Sequence, residues 1–527
     1  MEKRMISLFT FFCLCFTGLM AKVAEINFSA YSIAGTSYGQ KTVFVGSTRG
    51  KIYDRNLNKL TDTGEKLIAV VTPSVGSSEY LSFMSDMDSF NESIQNGSPF
   101  AVEVDEAINN DFIRTFTVPV RYGEGTLAVH LVGYISADGK NGLSGIERAY
   151  DALLRKSSGE LTVSFEVDAK GRVLAGMDKF VNDSNFNSMA GVALTIDSRI
   201  QRITENAVRE SCIRSGCAAV MKIDSGEILA LSSVPVYNPN NVAASLTEEG
   251  SPLVNKALQQ YSVGSVFKPL VAAAALESGA DSESEYECSG SFILGDKSFA
   301  CYNSTAHGTV NMQTALEKSC NCYFINLINQ IDVDYLLRLC EDIGIGRADE
   351  IAQGLTAAAG SLPEREKLKI KGELANFAFG QGELMMTPIQ MLKLYHMLAT
   401  GNAVDVSVIY GVVDSSGKVT AQGDAVPQKL LTDGTVRKLR RMLFSVIENG
   451  NAYSAESDIV SLAGKTGTAQ SGIYEKGKEI YRTWFAGFFP ADNPEYVVVV
   501  LNENGVAGNS DCAPVFREIC ERIVRHG

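Results

Sequence analysis

From residue 24 to about residue 188, apolar and polar positions alternate in short runs separated by turn residues, as in TFTVPVRYGEGTLAVHLVGYI (residues 115–135). A period of two marks strands with one buried face, and Gly123-Glu124-Gly125 predicts a hairpin turn between two of them. Near Ala190 the period lengthens. Helical patterns such as IQRITENAVRESCIR (200–214) now stand among strand patterns such as CAAVMKID (217–224) and EILALSS (227–233), so a domain boundary belongs there. The chain closes with two strand runs, RTWFAGFFP and YVVVVLNEN, and a helix from Pro514 to about Arg525 whose proline suits a first turn. No internal repeat or low-complexity linker interrupts this order.

The N-terminus differs from both halves. Lys3-Arg4 precedes an apolar run from Met5 to Ala21, and Lys22 opens a polar chain. The run is just long enough to cross a bilayer, and the basic residues before it predict a cytoplasmic head with everything later outside. Leu19-Met20-Ala21 also makes a passable signal-peptide cleavage site, but an uncleaved anchor is the preferred expectation. Residues 1–23 are therefore read as anchor, 24–188 as a β-rich pedestal with a dimerisation-like character, and 189–527 as the chemical domain. A length of 527 residues accommodates two cores, and the net charge of -14 is spread without a basic block, which leaves no groove for nucleic acid.

Eleven cysteines are many for an extracytoplasmic chain. With Cys13 and Cys15 in the anchor, nine remain, and at least one thiol stays free or pairs between chains. Cys288 and Cys301 bracket a short loop and are the best candidates for a disulfide. Cys320 and Cys322, like Cys212 and Cys217, have a spacing seen in metal sites, but four scattered histidines (130, 307, 396 and 526) offer no second half. Those four thiols are expected to be buried and inert, with no metal site.

The chemistry-bearing pattern is YSVGSVFKPLVAAAALESG, which places Ser265 and Lys268 one turn apart at the opening of an alanine-rich helix that Gly279 can end. An amine held on the same face as a hydroxyl can take its proton, and burial lowers its pKa toward that task. Backbone N–H groups at the same helix start can stabilise an oxyanion. Alone, Ser-x-x-Lys is weak, since Ser415 to Lys418 matches it in a polar turn. Ser319-Cys320-Asn321 and Ser89-Phe90-Asn91 both match Ser-x-Asn. Lys465-Thr466-Gly467-Thr468 is rarer, and its glycine suits a strand that another backbone must approach. The order Ser265, Ser319, Lys465 reproduces the joint signature of penicillin-recognising serine acyltransferases.

With these residues the chain resembles the class B penicillin-binding proteins, the monofunctional transpeptidases, over nearly its whole length. STRGKIYDRN and GLSGIERAYD resemble motifs of that family's N-terminal module, and LTIDSRIQ, GEILALSSVPVYNPN, GQGELMMTPIQ and WFAGFFP resemble its catalytic markers. A cysteine pair ahead of HGTVNMQTALEKSCNCYF is similar to an arrangement in some Gram-positive members. Departures are Val263 and Val266 beside the nucleophile, and Lys256 for an arginine, read as a surface change.

The resemblance implies an α/β fold of α+β type: a five-stranded antiparallel sheet flanked by helices, preceded by the pedestal. It implies that Ser265 attacks the D-Ala-D-Ala carbonyl, Lys268 accepts its proton, Ser319 relays a proton to the leaving amine and Asn321 holds the substrate amide. Lys465 supplies charge near the substrate carboxylate, which Thr466 and Thr468 bind, with Gly467 between them. The N–H groups of Ser265 and Thr468 form the oxyanion hole. Expected ligands are peptidoglycan stem peptides and β-lactams, with no cofactor. Expected partners are a membrane glycosyltransferase that polymerises lipid II and a second copy of the chain. Two rivals remain: a β-lactamase or D,D-carboxypeptidase on the same fold, and a non-catalytic β-lactam sensor or scaffold. The anchor and the long pedestal disfavour the hydrolase, and a four-residue head gives a sensor little to signal with. The segment before residue 190 lacks a glycosyltransferase glutamate pair, which disfavours a bifunctional enzyme.

Overall fold

The computed structural model describes residues 2–34, 39–73, 97–168, 171–174, 179–423, 426–475 and 477–526, so Ser89-Phe90-Asn91 lies outside the described residues. Helix α1 (Glu2–Ala34) carries Met5–Glu25, the one described segment long and apolar enough to cross a membrane. The chain divides into two compact units. The first holds residues 1–49, 62–123 and 157–188; the second holds 50–61, 124–156 and 189–527.

In the first unit, strands β1 (Gln40–Thr48), β2 (Gly64–Val71), β3 (Phe100–Val104), β4 (Ile113–Val120), β5 (Gly159–Glu166) and β6 (Phe180–Ser184) make two sheets, ordered β1-β5-β6 and β3-β2-β4. Alternation directs the packing. Val43 and Val45 of β1, Ile68 and Val70 of β2, and Leu161, Val163 and Phe165 of β5 form one core with Val118 and Phe186. The intervening Ala69 and Val71 of β2 face a second cluster with Val104, Ile108 and Ile113. A bulge in β1 between Phe44 and Gly46 brings Gly46 against Val118, where a Cβ would lie 2.7 Å from Val118 Cγ1.

The hairpin expected at Gly123-Glu124-Gly125 does not form. Strand β4 pairs with β2, and after the turn the chain enters a short helix, Val129–Val132. Leu127, Ala128, Val129, Leu131 and Val132 are all buried, so this run is apolar on every side rather than alternating. It belongs, with residues 50–61, to the second unit, whereas the local pattern grouped both segments with the pedestal. Register explains the grouping. Lys51–Tyr53 pairs in parallel with β7 (Gly191–Leu194), a partner about 140 residues away that no local period announces.

The second unit is built on α2 (Ser198–Glu210), β8 (Gly216–Lys222), β9 (Ile228–Val234), α3 (Lys268–Glu277), α4 (Asn321–Ile328), α5 (Pro388–Thr400), β10 (Ile409–Val413), α6 (Asp433–Glu448), β11 (Ala463–Glu475), β12 (Lys478–Phe489), β13 (Tyr496–Gly505) and α7 (Ala513–His526). Its main sheet is five-stranded and antiparallel throughout, in the order β9-β8-β13-β12-β11. The central runs of β8 and β13 are fully buried, because helices cover both faces of an unalternating strand. Helix α2 starts where the Asp197 carboxylate accepts from the N–H groups of Arg199 and Ile200, and packs Ile200, Ile203, Ala207 and Val208 inward. Helix α5 is buried along twelve residues, opened by a Thr387/Gln390 capping box and closed by Gly401 at φ 82°. β10 pairs antiparallel with β7, extending the Lys51–Tyr53 ladder. The Ser415-Lys418 match lies in the turn after β10, where the Asp414 carboxylate accepts from the backbone N–H groups of Ser416 and Lys418.

Candidate active site

Ser265 sits in a single 3₁₀ turn, Gly264–Phe267, that runs into α3. Four contacts fix that turn. Gly264 N donates to Gly380 O at 2.7 Å, Tyr395 Oη donates to Val266 O at 3.1 Å, and Trp484 Nε1 donates to Ser262 O at 2.9 Å. The Phe267 ring lies 5.1 Å from that of Phe377. Gly264 (φ 71°) and Gly380 (φ 78°) are both left-handed, and a Cβ on Gly380 would meet Gly264 O at 2.1 Å. Only two glycines permit this approach.

Lys268 opens α3 and is completely buried. Its Nζ donates to Ser319 O at 2.7 Å, Asn321 Oδ1 at 2.7 Å and Ser319 Oγ at 3.2 Å, and stands 5.7 Å from the centre of the Phe324 ring. Burial lowers its pKa to about 8, with the thiols of Cys320, Cys301 and Cys322 pulling the other way. Ser319 accepts a positive φ of 53° so that its carbonyl and hydroxyl both reach the amine. A non-glycine residue there stores about 1–3 kcal/mol, a cost typical of functional sites. Asn321 begins α4 and its Nδ2 donates to Ala300 O at 2.9 Å.

Lys465, Thr466, Gly467 and Thr468 lie on β11, the edge strand of the main sheet. Gly467 is where this strand meets the Gly264–Phe267 turn: a Cβ would come within 3.0 Å of Val266 Cγ1 and 3.1 Å of Val263 O. The bulk it removes would therefore collide with the protein's own turn, a closer constraint than the substrate backbone alone. Lys465 is buried, with Nζ 3.3 Å from both Thr466 O and Thr466 Oγ1. Burial, and then the charge on Lys268, hold its pKa well below the usual lysine range. That effect of Lys268 on Lys465 places the second amine within the electrostatic reach of the first. Thr466 Oγ1 donates to Asn451 Oδ1 at 3.4 Å, and Thr468 Oγ1 accepts from Gly508 N at 3.3 Å.

The fold thus brings Ser265, Lys268, Ser319, Asn321 and the Lys465–Thr468 strand together. Such a set can pass a hydroxyl proton to an amine, bind a carboxylate by charge and hydroxyls, and hold an acyl oxygen on backbone N–H groups. Sequence reading missed Asn451 and Tyr395, which touch the site from a loop and a helix without a local signature. Gly380 was legible only inside GQGEL.

Three expectations are corrected. Lys256 is buried and ion-paired with Glu503 at 3.0 Å, not a surface residue, because its short 3₁₀ turn (Lys256–Leu258) packs against β8 and β9. Cys288 and Cys301 are free thiols with Sγ atoms 3.8 Å apart, nearly twice a disulfide bond of about 2.05 Å. All eleven cysteines are free; Cys212 is exposed, contrary to the expected burial, while Cys217, Cys320 and Cys322 are buried.

Residues 216–521 match the family described as penicillin binding protein transpeptidase domain. Peptidoglycan D,D-transpeptidase FtsI of Escherichia coli K12 is 28% identical over 423 residues, which cover 77% of this chain and 66% of that protein. The chain thus spans about two thirds of that relative's length. Penicillin binding protein 3 of Mycobacterium tuberculosis in complex with aztreonam shares the fold at a TM-score of 0.67 and 23% identity, over 92% of this chain and 97% of that one. A chain from a peptidoglycan synthase complex solved for the coordination of polymerization and crosslinking has a TM-score of 0.70 at 22% identity, covering 98% of each.

Proposed function

The chain belongs to the penicillin-binding protein transpeptidase family, and on that premise we propose that it is a peptidoglycan D,D-transpeptidase working through an acyl-enzyme on Ser265 and inhibited by β-lactams. The observation that carries this reading is the buried Lys268 amine, bonded to Ser319 and Asn321 at the foot of the turn that presents Ser265.

Ser265 Oγ attacks the carbonyl of the penultimate D-alanine while neutral Lys268 receives its proton. The N–H groups of Ser265 and Thr468 stabilise the oxyanion. Ser319 passes a proton to the departing D-alanine amine, and Asn321 holds the peptide amide. Thr466 and Thr468 hydroxyls bind the terminal carboxylate, whose charge favours the ammonium form of Lys465 on arrival. An amine of a neighbouring stem peptide then takes the acyl group, forming the cross-link and freeing Ser265.

The same reading puts Lys3 and Arg4 in the cytoplasm and the residues after the anchor beyond the membrane, with 24–188 as pedestal, apart from the 50–61 and 124–156 segments that join the second unit, and 189–527 as the body of the catalytic domain. A glycosyltransferase supplies the glycan strands. The solved synthase complex, with a chain of like fold, supports that partner; a homodimer rests only on the pedestal's resemblance. The test is to label the full chain in detergent with a fluorescent penicillin and map the adduct by mass spectrometry. Modification of Ser265 is expected, and an adduct elsewhere overturns the mechanism.

Two further outcomes follow from the geometry. Acylation requires the uncharged amine, so its rate should climb about tenfold per pH unit below pH 8 and level off above it, the sign set by a lysine pKa lowered to about 8. A flat profile from pH 6 to 9 would remove Lys268 as the base. Gly380→Ala should force Gly264 away from Gly380 O, slowing acylation about 100-fold through misplacement of Ser265 and destabilising the unit by about 1–3 kcal/mol. Stopped-flow β-lactam acylation and urea unfolding read these separately.

A further inference from the structure

Three thiols and one imidazole converge beside the Ser319-Cys320-Asn321 segment. The Sγ atoms of Cys288, Cys301 and Cys320 and a ring nitrogen of His307 all lie within 4.8 Å of one another. We propose that these four residues bind a zinc ion that fixes the position of Ser319 and Asn321 around Lys268.

The donor separations match the edges of a tetrahedral metal site and are too long for a disulfide. Cys288–Cys301 and Cys301–Cys320 have Sγ separations of 3.8 Å, and Cys288 Sγ is 3.5 Å from His307 Nδ1. Bonds of about 2.3 Å to sulfur and about 2.0 Å to nitrogen at tetrahedral angles require S–S edges of about 3.8 Å and S–N edges of about 3.5 Å. The donors also suit the metal, since three thiolates and an imidazole in a tetrahedron select zinc among common ions. Cys322 Sγ, 3.5 Å from Cys301 Sγ, is a neighbouring thiol outside the mutually close set.

The backbone is arranged to hold the set without a metal. Strand Tyr286–Cys288 pairs antiparallel with Gly308–Val310, which sets Cys288 opposite Gly308 and next to His307. Cys301 N donates to Gly290 O at 3.0 Å, closing the intervening hairpin. Outer contacts orient the ligands: Tyr323 N donates to Cys320 Sγ at 3.4 Å, Lys318 Nζ to His307 O at 3.1 Å, and Asn321 Nδ2 to Ala300 O, next to Cys301. Cys288, Cys301 and Cys320 are buried.

Four protein ligands leave no open position, so the ion is structural and takes no part in acyl transfer. Binding converts the three thiols to thiolates, with release of up to three protons, and keeps them from oxidation in an extracytoplasmic setting. Its mechanical effect falls on the site because Cys320 is the middle residue of Ser-x-Asn. A clamped Cys320 holds Ser319 in its left-handed conformation and Asn321 at the helix start, the two residues that bond Lys268.

The metal part of this proposal stands on the donor geometry alone; the positioning part rests on the acyl-transfer reading. Untagged full-length protein in detergent, purified without chelator, should contain one zinc per chain by elemental mass spectrometry. Cobalt replacement should give the sulfur-to-metal charge-transfer bands of tetrahedral thiolate coordination. Cys301→Ser and His307→Ala should each weaken binding by more than the about 10–100-fold typical of losing an outer-shell partner of a ligand. Stripping the wild-type protein with a strong chelator should slow penicillin acylation of Ser265 about 100-fold, with recovery on adding zinc. Metal-free native protein, a Cys288–Cys301 disulfide in the peptide map, or full zinc retention by both variants overturns the site. Undiminished acylation after chelation overturns the positioning role. Zinc at one per chain with no Ser265 adduct would instead reject the acyl-transfer reading and leave the metal site standing.

Discussion

Ser265→Ala is expected to abolish β-lactam acylation and D,D-transpeptidation, with a loss on the order of 10⁶-fold, the scale for removing the nucleophile of a serine acyl-transfer unit. Among the described residues, neither Ser319 nor Ser416, the other serines in matching motifs, is placed to substitute. Ser319 Oγ faces Lys268 too, but its backbone carbonyl shares the amine and its turn is held at φ 53°, away from the 3₁₀ turn whose N–H groups would bind an oxyanion. Ser416 Oγ donates to the Asp414 carboxylate in an exposed turn, and that carboxylate, its pKa lowered by the same hydrogen bond, is too weak a base to activate it. Intact-mass measurement after penicillin treatment should therefore show no adduct on the variant. Its melting midpoint should stay within about 2–4 °C of the parent, the equivalent of roughly 1 kcal/mol in a domain of this size. A residual adduct on Ser319 would mean that the helix-start serine had been misassigned. Retention of cell-wall function by the variant in cells would instead favour the scaffold reading.

What was legible in the chain follows from how locally each feature is encoded. Ser265 and Lys268 are one turn apart, and Lys465 to Thr468 occupy consecutive positions of one strand, so residue type and spacing carry their chemistry. The buried strands and α2 were legible because their periods are carried within ten residues or so. Partners distant in sequence were not. Asn451 reaches Thr466 across fifteen residues, Tyr395 reaches Val266 across 129, and Lys51–Tyr53 finds its strand partner beyond residue 190. The cysteines show the same limit. Positions 288, 301, 307 and 320 have no paired C-x-x-C spacing, and one of them sits inside a catalytic motif, so histidines counted along the chain looked scattered until the fold gathered one of them. Lys256 failed for another reason: a lysine in a polar stretch reads as exposed unless its carboxylate, Glu503 on β13, is known.

Replacing Lys268 separates a base from a mere cation. Lys268→Met keeps length and apolar bulk but removes the amine, and acylation should fall about 10²–10⁴-fold. Lys268→Arg is the sharper test. Guanidinium can still donate to Ser319 O and Asn321 Oδ1, and it keeps the positive charge, but its pKa above 12 forbids the neutral form. If Lys268 acts by accepting the Ser265 proton, the arginine variant should be as slow as the methionine one and should lose the rise toward pH 8. If charge alone matters, arginine should retain most of the activity across the range. The two should part on stability, because methionine leaves the acceptors Ser319 O and Asn321 Oδ1 without their donor, at about 1–3 kcal/mol each when buried. Combining either substitution with Ser265→Ala should add nothing further to the loss of rate, since a nucleophile and its base act as one unit. An additive double variant would show that Lys268 assists by a route that does not pass through the serine hydroxyl.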